Sequence, residues 1–170
     1  EPRKNLERLI AAYDQFRQGK TAPPYLVLAG GKGWLDSGIY KKVEELGLGD
    51  LVKFTEYVPD EEICPLMCGA LAFVFPSIYE GFGLPPLEAM ACGVPVLTTH
   101  AASLPEVVGE DAVVADPYSP ESIAAGLEQL YTDEALRQKL REAGPKRAAQ
   151  FTWERSAEQL YAVYQEACRE

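Results

Sequence analysis

The sequence of 170 residues carries 16 lysines and arginines against 26 aspartates and glutamates, a formal net charge of −10 at pH 7. An acidic chain of this kind repels nucleic acid and anionic membrane surfaces, so neither is expected as a bulk partner. With 47% hydrophobic and 25% charged residues the composition is globular, the length suits one domain or half of a larger enzyme, no run of about 18 apolar residues offers a membrane span, and the opening residues lack the basic-then-apolar pattern of a signal peptide.

In chain order, Glu1 to Gln18 reads as a helix, with Leu6, Leu9, Ile10, Tyr13 and Phe16 on one face and Gly19 as its stop. The apolar run Tyr25–Ala29, between Pro23-Pro24 and Gly30-Gly31, reads as a strand buried on both faces. A helix follows over Asp36–Leu46, then a strand over Leu51–Thr55, then a short helix through Cys68 capped by Asp60. Leu71–Phe75 is the next strand, ended by Pro76. A glycine-rich turn, Glu80 to Leu84, leads into a helix begun by Pro85-Pro86 and ended by Gly93. Strands are expected at Val94–Thr98 and Ala112–Ala115, and helices near Pro120–Tyr131, Asp133–Gln150 and Thr152–Cys168. Apolar strands alternating with helices predict an α/β fold, a doubly wound parallel sheet with helices on both faces. The sequence shows no repeat, low-complexity segment or linker. A doubly wound unit normally opens on a strand, whereas this chain enters a helix at once, so a first strand is expected to lie before Glu1.

In such sheets ligands bind beyond the carboxyl ends of the strands. The loop from Pro76 to Glu88 lies there. Gly81 and Gly83 let the backbone turn and approach a ligand closely. The following helix aims its free amides and positive dipole end at the crevice, which suits phosphate. Pro85 and Pro86 have no N–H, which leaves Phe82, Gly83, Leu84 and Leu87 as donors. Glu80 and Glu88 flank this anion site and suit hydroxyl groups of a sugar or ribose better than phosphate. A bland alternative exists for each feature: Gly-Phe-Gly turns are common, and a glutamate early in a helix often only complements the dipole.

Residue identity narrows the choice. Pro76 to Pro95, PSIYEGFGLPPLEAMACGVP, with two glutamates separated by seven residues at Glu80 and Glu88, resembles the signature of retaining glycosyltransferases of family 4. Arg3-Lys4-Asn5, Gly30 to Trp34, Val52 to Val58 with Asp60-Glu61-Glu62, Ser103 to Gly109 and Phe151 to Glu154 resemble further motifs of that family, in the same order. The resemblance implies a Rossmann-like domain, one half of a GT-B fold, with residues 1–170 as the C-terminal, nucleotide-sugar-binding domain and 152–170 as its last helix; the first strand and an N-terminal acceptor domain would lie outside the chain. It implies that Lys4, assisted by Arg3, binds the donor diphosphate, that Glu80 holds hydroxyls of the transferred sugar, and that Glu88 holds the ribose. It also implies that the backbone around Gly81, Phe82, Gly83 and Leu84 meets the phosphates, and that Tyr57 and Val58 contact the base through the main chain. The catalytic residues so implied are Glu80 and Lys4. A basic group beside the diphosphate offsets charge building on the departing nucleotide whatever the family. The family usually has glycine before that tyrosine; this chain has Glu56. The expected donor is GDP-mannose, from the likeness of the opening EPRKN to a mannosyltransferase branch, with a UDP-sugar as the alternative. The acceptor would be a saccharide or a lipid-linked saccharide. No cofactor and no metal are implied, in keeping with the absence of an Asp-x-Asp motif. A cytoplasmic location is expected, at most at the inner face of a membrane reached through parts outside the chain.

Two other classes compete. A dinucleotide enzyme or sugar-nucleotide epimerase would want GxGxxG after its first strand, and Gly30-Gly31-Lys32-Gly33 does not match. A non-catalytic binding or assembly module on the same fold would be favoured by loss of Glu80 or Lys4, and both are present. Cys64 and Cys68 stand one helical turn apart, spacing that suits a shared metal, yet no paired CxxC accompanies them and His100 is the sole histidine. Together with Cys92 and Cys168 they read as buried or idle thiols of a reducing compartment. His100 reads as a loop residue and Trp34 as packing on the helix after it. Glu106 reads as holding a loop, Tyr131, Tyr161 and Tyr164 as core or half-buried surface, and the charges from Arg137 to Arg147 as a solvated face. In the family the last helix reaches back to the other domain, so Trp153 is expected to stand exposed.

Overall fold

The computed structural model describes residues 1–31 and 37–169. The expected Trp34, most of the Gly30–Trp34 turn, and Asp36 as a helix start lie outside the described residues. The chain opens on a single 3-10 turn, Pro2–Lys4, followed by α1, Leu6–Arg17. The strands are β1 (Leu26–Ala29), β2 (Val52–Glu56), β3 (Phe73–Val74), β4 (Val96–Thr99) and β5 (Val113–Ala115). Between and after them come α2 (Ser37–Glu45), α3 (Asp60–Cys68), α4 (Leu84–Ala91), α5 (Leu104–Val108), α6 (Pro120–Thr132), α7 (Glu134–Ala148) and α8 (Trp153–Ala167).

Every strand pair is parallel. β1 pairs with β2, Leu26 opposite Val52, and β4 lies between β3 and β5, with Leu97 opposite both Val74 and Val113. These are two separate ladders, β1-β2 and β3-β4-β5, rather than one continuous sheet. Helices cover both faces. α1 packs on α2 and α6 around a core that includes Leu9, Ile10, Leu26, Val52, Leu97 and Ile123. On the other face α4 packs on α3, α5 and α7 around Leu87, Met90, Val96, Val107 and Val108. β4 is buried at all four positions, because both its neighbours and both helix layers cover it.

Several expectations need correction. The first helix is broken at Asn5, which takes a left-handed conformation (φ 62°) between the 3-10 turn and α1. β1 is not buried on both faces: it is an edge of its own ladder, and Tyr25 and Val27 are exposed. Asp60 does not cap α3; Pro59 occupies the cap position, and Asp60, Glu61 and Glu62 complement the dipole from the first turn. The charge run on α7 is not uniformly solvated. Arg137 is buried, donating to the Leu130 and Tyr131 carbonyls and pairing with Glu134. Arg147 donates to the carbonyls of Glu106 and Val107, so the α5 loop is held through its backbone and not through the Glu106 carboxylate. Tyr131, 36% exposed, packs edge-on against Phe16, while Tyr161 and Tyr164 are more exposed still, and every described residue of α8 is exposed. Helical spacing marks a face as apolar but does not say whether anything covers it. Trp153, 82% exposed, stands out as expected.

Candidate functional site

The carboxyl ends of β3 and β4 turn into the two loops that build the site. Ser77 follows β3 and is buried; Thr99, the last residue of β4, donates from Oγ1 to the Ser77 carbonyl at 2.7 Å. Thr98 donates to the Phe75 carbonyl at 3.1 Å, so both hydroxyls continue the ladder where backbone pairing stops.

The opening segment is fastened onto this frame by Asn5. Its buried amide donates from Nδ2 to the carbonyls of Pro76 (2.9 Å) and Pro117 (2.6 Å). The Ile78 amide donates to the Arg3 carbonyl at 2.9 Å. The left-handed conformation of Asn5, one of the few residue types that adopt it readily, turns the preceding pair of basic residues over the loop. Lys4 Nζ then sits 2.8 Å from Glu80 Oε1, and Arg3 Nη1 2.6 Å from Glu80 Oε2. Ser77 Oγ donates to the same Oε1 at 2.9 Å. Lys4 also lies over the Phe75 ring, 4.6 Å from its centroid. The Glu80 side chain is only 11% exposed. Burial pushes its carboxyl up, but the hydrogen bonds and charge of Lys4, with the bonds from Ser77 and Arg3, outweigh that and hold it below the usual carboxylate range.

Beyond Glu80 the chain makes its glycine turn into α4. Gly83 is the cap residue at φ 110°, and a Cβ built there would stand 2.8 Å from Leu104 Cδ2, so only glycine fits. No side chain caps α4, and its second and third residues are prolines. The open donors are the amides of Phe82, Gly83 and Leu84. Leu87 drops out of the expected set, because its N–H already bonds the Gly83 carbonyl at 3.4 Å. Ser103 Oγ lies 3.0 Å from the Glu80 carbonyl and 2.7 Å from that of Phe82, tying the turn to the loop after β4. Ala102, at φ 49°, bends that loop so that Ser103 faces back.

The structure thus brings Arg3, Lys4 and Glu80 into one ion-paired group next to Gly81–Leu84. Glu88 is exposed in the second turn of α4. Tyr57 (73% exposed) and Val58 directly follow β2. Glu56, where glycine was the family's habit, takes φ 57°, the left-handed conformation that favours glycine. His100 is exposed after β4. Ser77, Ser103, Thr99 and Asn5 were passed over as site builders. Asn5, Ser77 and Ser103 lay inside quoted motifs, whereas nothing in the sequence marked Thr99.

The thiols also differ from expectation. Cys64 and Cys68 are exposed on α3, and Cys92 at the end of α4 joins them. Burial first, then the neighbouring Cys64 and Cys68, pushes the Cys92 thiol up to about 12.

Comparison with known proteins identifies the family. The family model for glycosyl transferases group 1 matches residues 1–147. The chain is 42% identical to the O-antigen chain mannosyltransferase B of Escherichia coli, over 96% of the chain and 43% of that protein. It is 36% identical to the serotype-specific mannosyltransferase WbdA of the same organism, over 92% of the chain and 20% of that protein. Sucrose-phosphate synthase from Thermosynechococcus elongatus superposes with a TM-score of 0.83 at 30% identity, covering 99% of the chain and 43% of that structure. The chain therefore spans less than half the length of these relatives. Its parallel ladders with helices on both faces are the Rossmann-like half of a GT-B fold, and the chain belongs to the group 1 glycosyl transferases.

Proposed function

We propose that the chain is the donor-binding half of a retaining mannosyltransferase that takes a nucleotide diphosphate sugar, with GDP-mannose as the favoured donor and a UDP-sugar as the alternative. The observation that carries this is the placement of two cations, Arg3 and Lys4, on a carboxylate beside the uncapped N-terminus of α4. An incoming diphosphate draws Arg3 and Lys4 from Glu80 and accepts hydrogen bonds from the Gly83 and Leu84 amides. Glu80, released from its cations, accepts from the hydroxyls of the sugar. Glu88 accepts from the ribose, and the main chain at Tyr57 and Val58 meets the base. As the sugar leaves, the charge developing on the nucleotide diphosphate is offset by Lys4, Arg3 and the helix terminus. These groups supply the positive charge the diphosphate requires, so the scheme assigns no metal to the transfer. The mannose preference is supported by the two relatives named as mannosyltransferases.

The two ladders, β1-β2 and β3-β4-β5, would fit the doubly wound order 3-2-1-4-5-6 with one further strand between β1 and β3. A strand preceding Pro2 would join the ladders between β1 and β3, and an N-terminal domain would bind a saccharide or lipid-linked acceptor and cover the apolar stripe of α8. Among the described residues no helix is long and apolar enough to cross a membrane. Four free cysteines suit a reducing, cytoplasmic compartment.

Calorimetric titration with GDP, UDP and ADP tests the reading, alongside Lys4→Ala and Glu88→Ala. Binding of one nucleotide, weakened at least about tenfold in both variants, is expected; a tenfold loss is about 1.4 kcal/mol. Equal affinity of the parent and both variants would refute it.

A further inference from the structure

Cys64 and Cys68 stand four residues apart on α3, hence on one face and one turn apart. Cys92 is the cap residue that ends α4. The packing of α3 on α4 brings the three together: Cys64 Sγ lies 3.9 Å from Cys68 Sγ and 3.3 Å from Cys92 Sγ, and all three sulfurs fall within 4.8 Å of one another. A metal–thiolate bond of about 2.3 Å places sulfurs about 3.8 Å apart around a tetrahedral ion and about 4.0 Å apart in a trigonal plane. The Cys64–Cys68 separation of 3.9 Å matches these values, and the Cys64–Cys92 separation of 3.3 Å lies about 0.5 Å below them. A disulfide needs about 2.05 Å and uses only two of the three sulfurs.

We infer that Cys64, Cys68 and Cys92 form a three-thiolate binding site for one thiophilic d10 cation of the Zn2+ class. Its donor set is all sulfur, which selects soft ions over Mg2+ or Ca2+. Cys64 and Cys68 are exposed, so an ion reaches the site from solvent and a water or small thiol completes the fourth position. Three sulfurs at these distances cannot all be anionic without a cation among them. Binding therefore exchanges the three S–H protons, released to solvent, for three metal–sulfur bonds, with no change of oxidation state.

The site is distinct from the Glu80 group and does not depend on the donor reading. α4 has eight residues between Gly83 and Cys92, so Cys92 lies about 13.5 Å along its axis from Gly83. Its effect is mechanical. α3 follows the Tyr57–Val58 segment and α4 carries Glu88, and the bound ion fixes one element against the other.

The test is titration of the reduced chain with Cd2+, read by thiolate-to-metal charge-transfer absorption, followed by displacement with Zn2+. Saturation at one equivalent, with the intensity of about three thiolates, is expected. Outer-shell changes at metal sites cost about 10–100-fold in affinity, so loss of a direct ligand in Cys64→Ser or Cys92→Ser should weaken binding at least about 100-fold. Cys168→Ser should bind as the parent does. Cys64→Ser alters an exposed side chain and keeps the test decisive where Cys92→Ser fails to fold. The inference is overturned by absence of a saturable band, by unchanged affinity in Cys64→Ser, or by loss of binding in Cys168→Ser.

Discussion

In the ligand-free protein Glu80 occupies both cations that a diphosphate would use, so replacing Glu80 by glutamine should tighten the binding of a free nucleoside diphosphate. The carboxylate accepts from Lys4 at 2.8 Å and pairs with Arg3 at 2.6 Å. Hydrogen bonds to charged groups contribute about 1.5–3 kcal/mol when shielded, whereas exposed ion pairs contribute about 0.2–1 kcal/mol. Glu80 is 11% exposed but Lys4 and Arg3 are 31% and 41% exposed, which places the two pairs together at about 1–2 kcal/mol. Releasing that competition corresponds to about 5- to 30-fold in affinity. Calorimetry with the diphosphate and with the intact nucleotide sugar separates two effects: the sugar conjugate gains less, because Glu80→Gln also loses the hydroxyl acceptor. Thermal unfolding gives an independent readout. A carboxyl whose folded pKa is lowered contributes stability that is present above its ordinary value of 4.5 and lost as pH falls through the lowered folded value. The parent should therefore lose Tm more steeply than Glu80→Gln below about pH 4.5. Equal or weaker diphosphate affinity in the variant would refute the competition and with it the assignment of Arg3 and Lys4 to the diphosphate.

Gly83→Ala meets both a positive φ and Leu104 at 2.8 Å, so it should cost about 2–3 kcal/mol by urea unfolding and weaken nucleotide binding by displacing the Leu84 amide. Asn5→Ala leaves the Pro76 and Pro117 carbonyls without their buried donor; the expected loss is about 2–4 kcal/mol in urea unfolding, with a parallel fall in nucleotide affinity as Arg3 and Lys4 come loose.

The elements most legible in the sequence were those whose determinants are local. Ser119, Asp133 and Thr152 each accept a backbone N–H at the start of α6, α7 and α8, and those helices begin within one residue of the expected starts Pro120, Asp133 and Thr152. The glycine turn before α4 was legible because φ 110° at Gly83 excludes other residues. What failed depended on distant partners. Asn5 breaks the first helix because carbonyls 71 and 112 residues away need its amide. Cys92 joins Cys64 across 28 residues, which no spacing rule reveals. Arg137 looked solvated on its own helix, yet the end of α6 buries it. Glu56 is the intermediate case: its departure from the family's glycine was visible, but whether the backbone had followed the side chain or kept the glycine conformation was not. It kept the conformation.

A net charge of −10 argues against polyanions and at first sight also against a diphosphate. The two differ in reach. At physiological ionic strength fields decay over about 8 Å, so a nucleic acid lying across the surface samples many acidic side chains, whereas a diphosphate in the crevice samples only its immediate neighbours. There the nearest charges are Lys4, Arg3 and Glu80, two positive against one negative, joined by the positive end of α4. Glu1 pairs with the other face of Arg3 at 2.8 Å, which lowers the resting field without occupying the nitrogen that faces Glu80. The local balance is close to neutral while the cations are paired and becomes attractive as an anion displaces Glu80 from them. An acidic chain can therefore reject extended polyanions and still select a compact one, because the attraction is held by two side chains and one helix terminus and not by the surface as a whole.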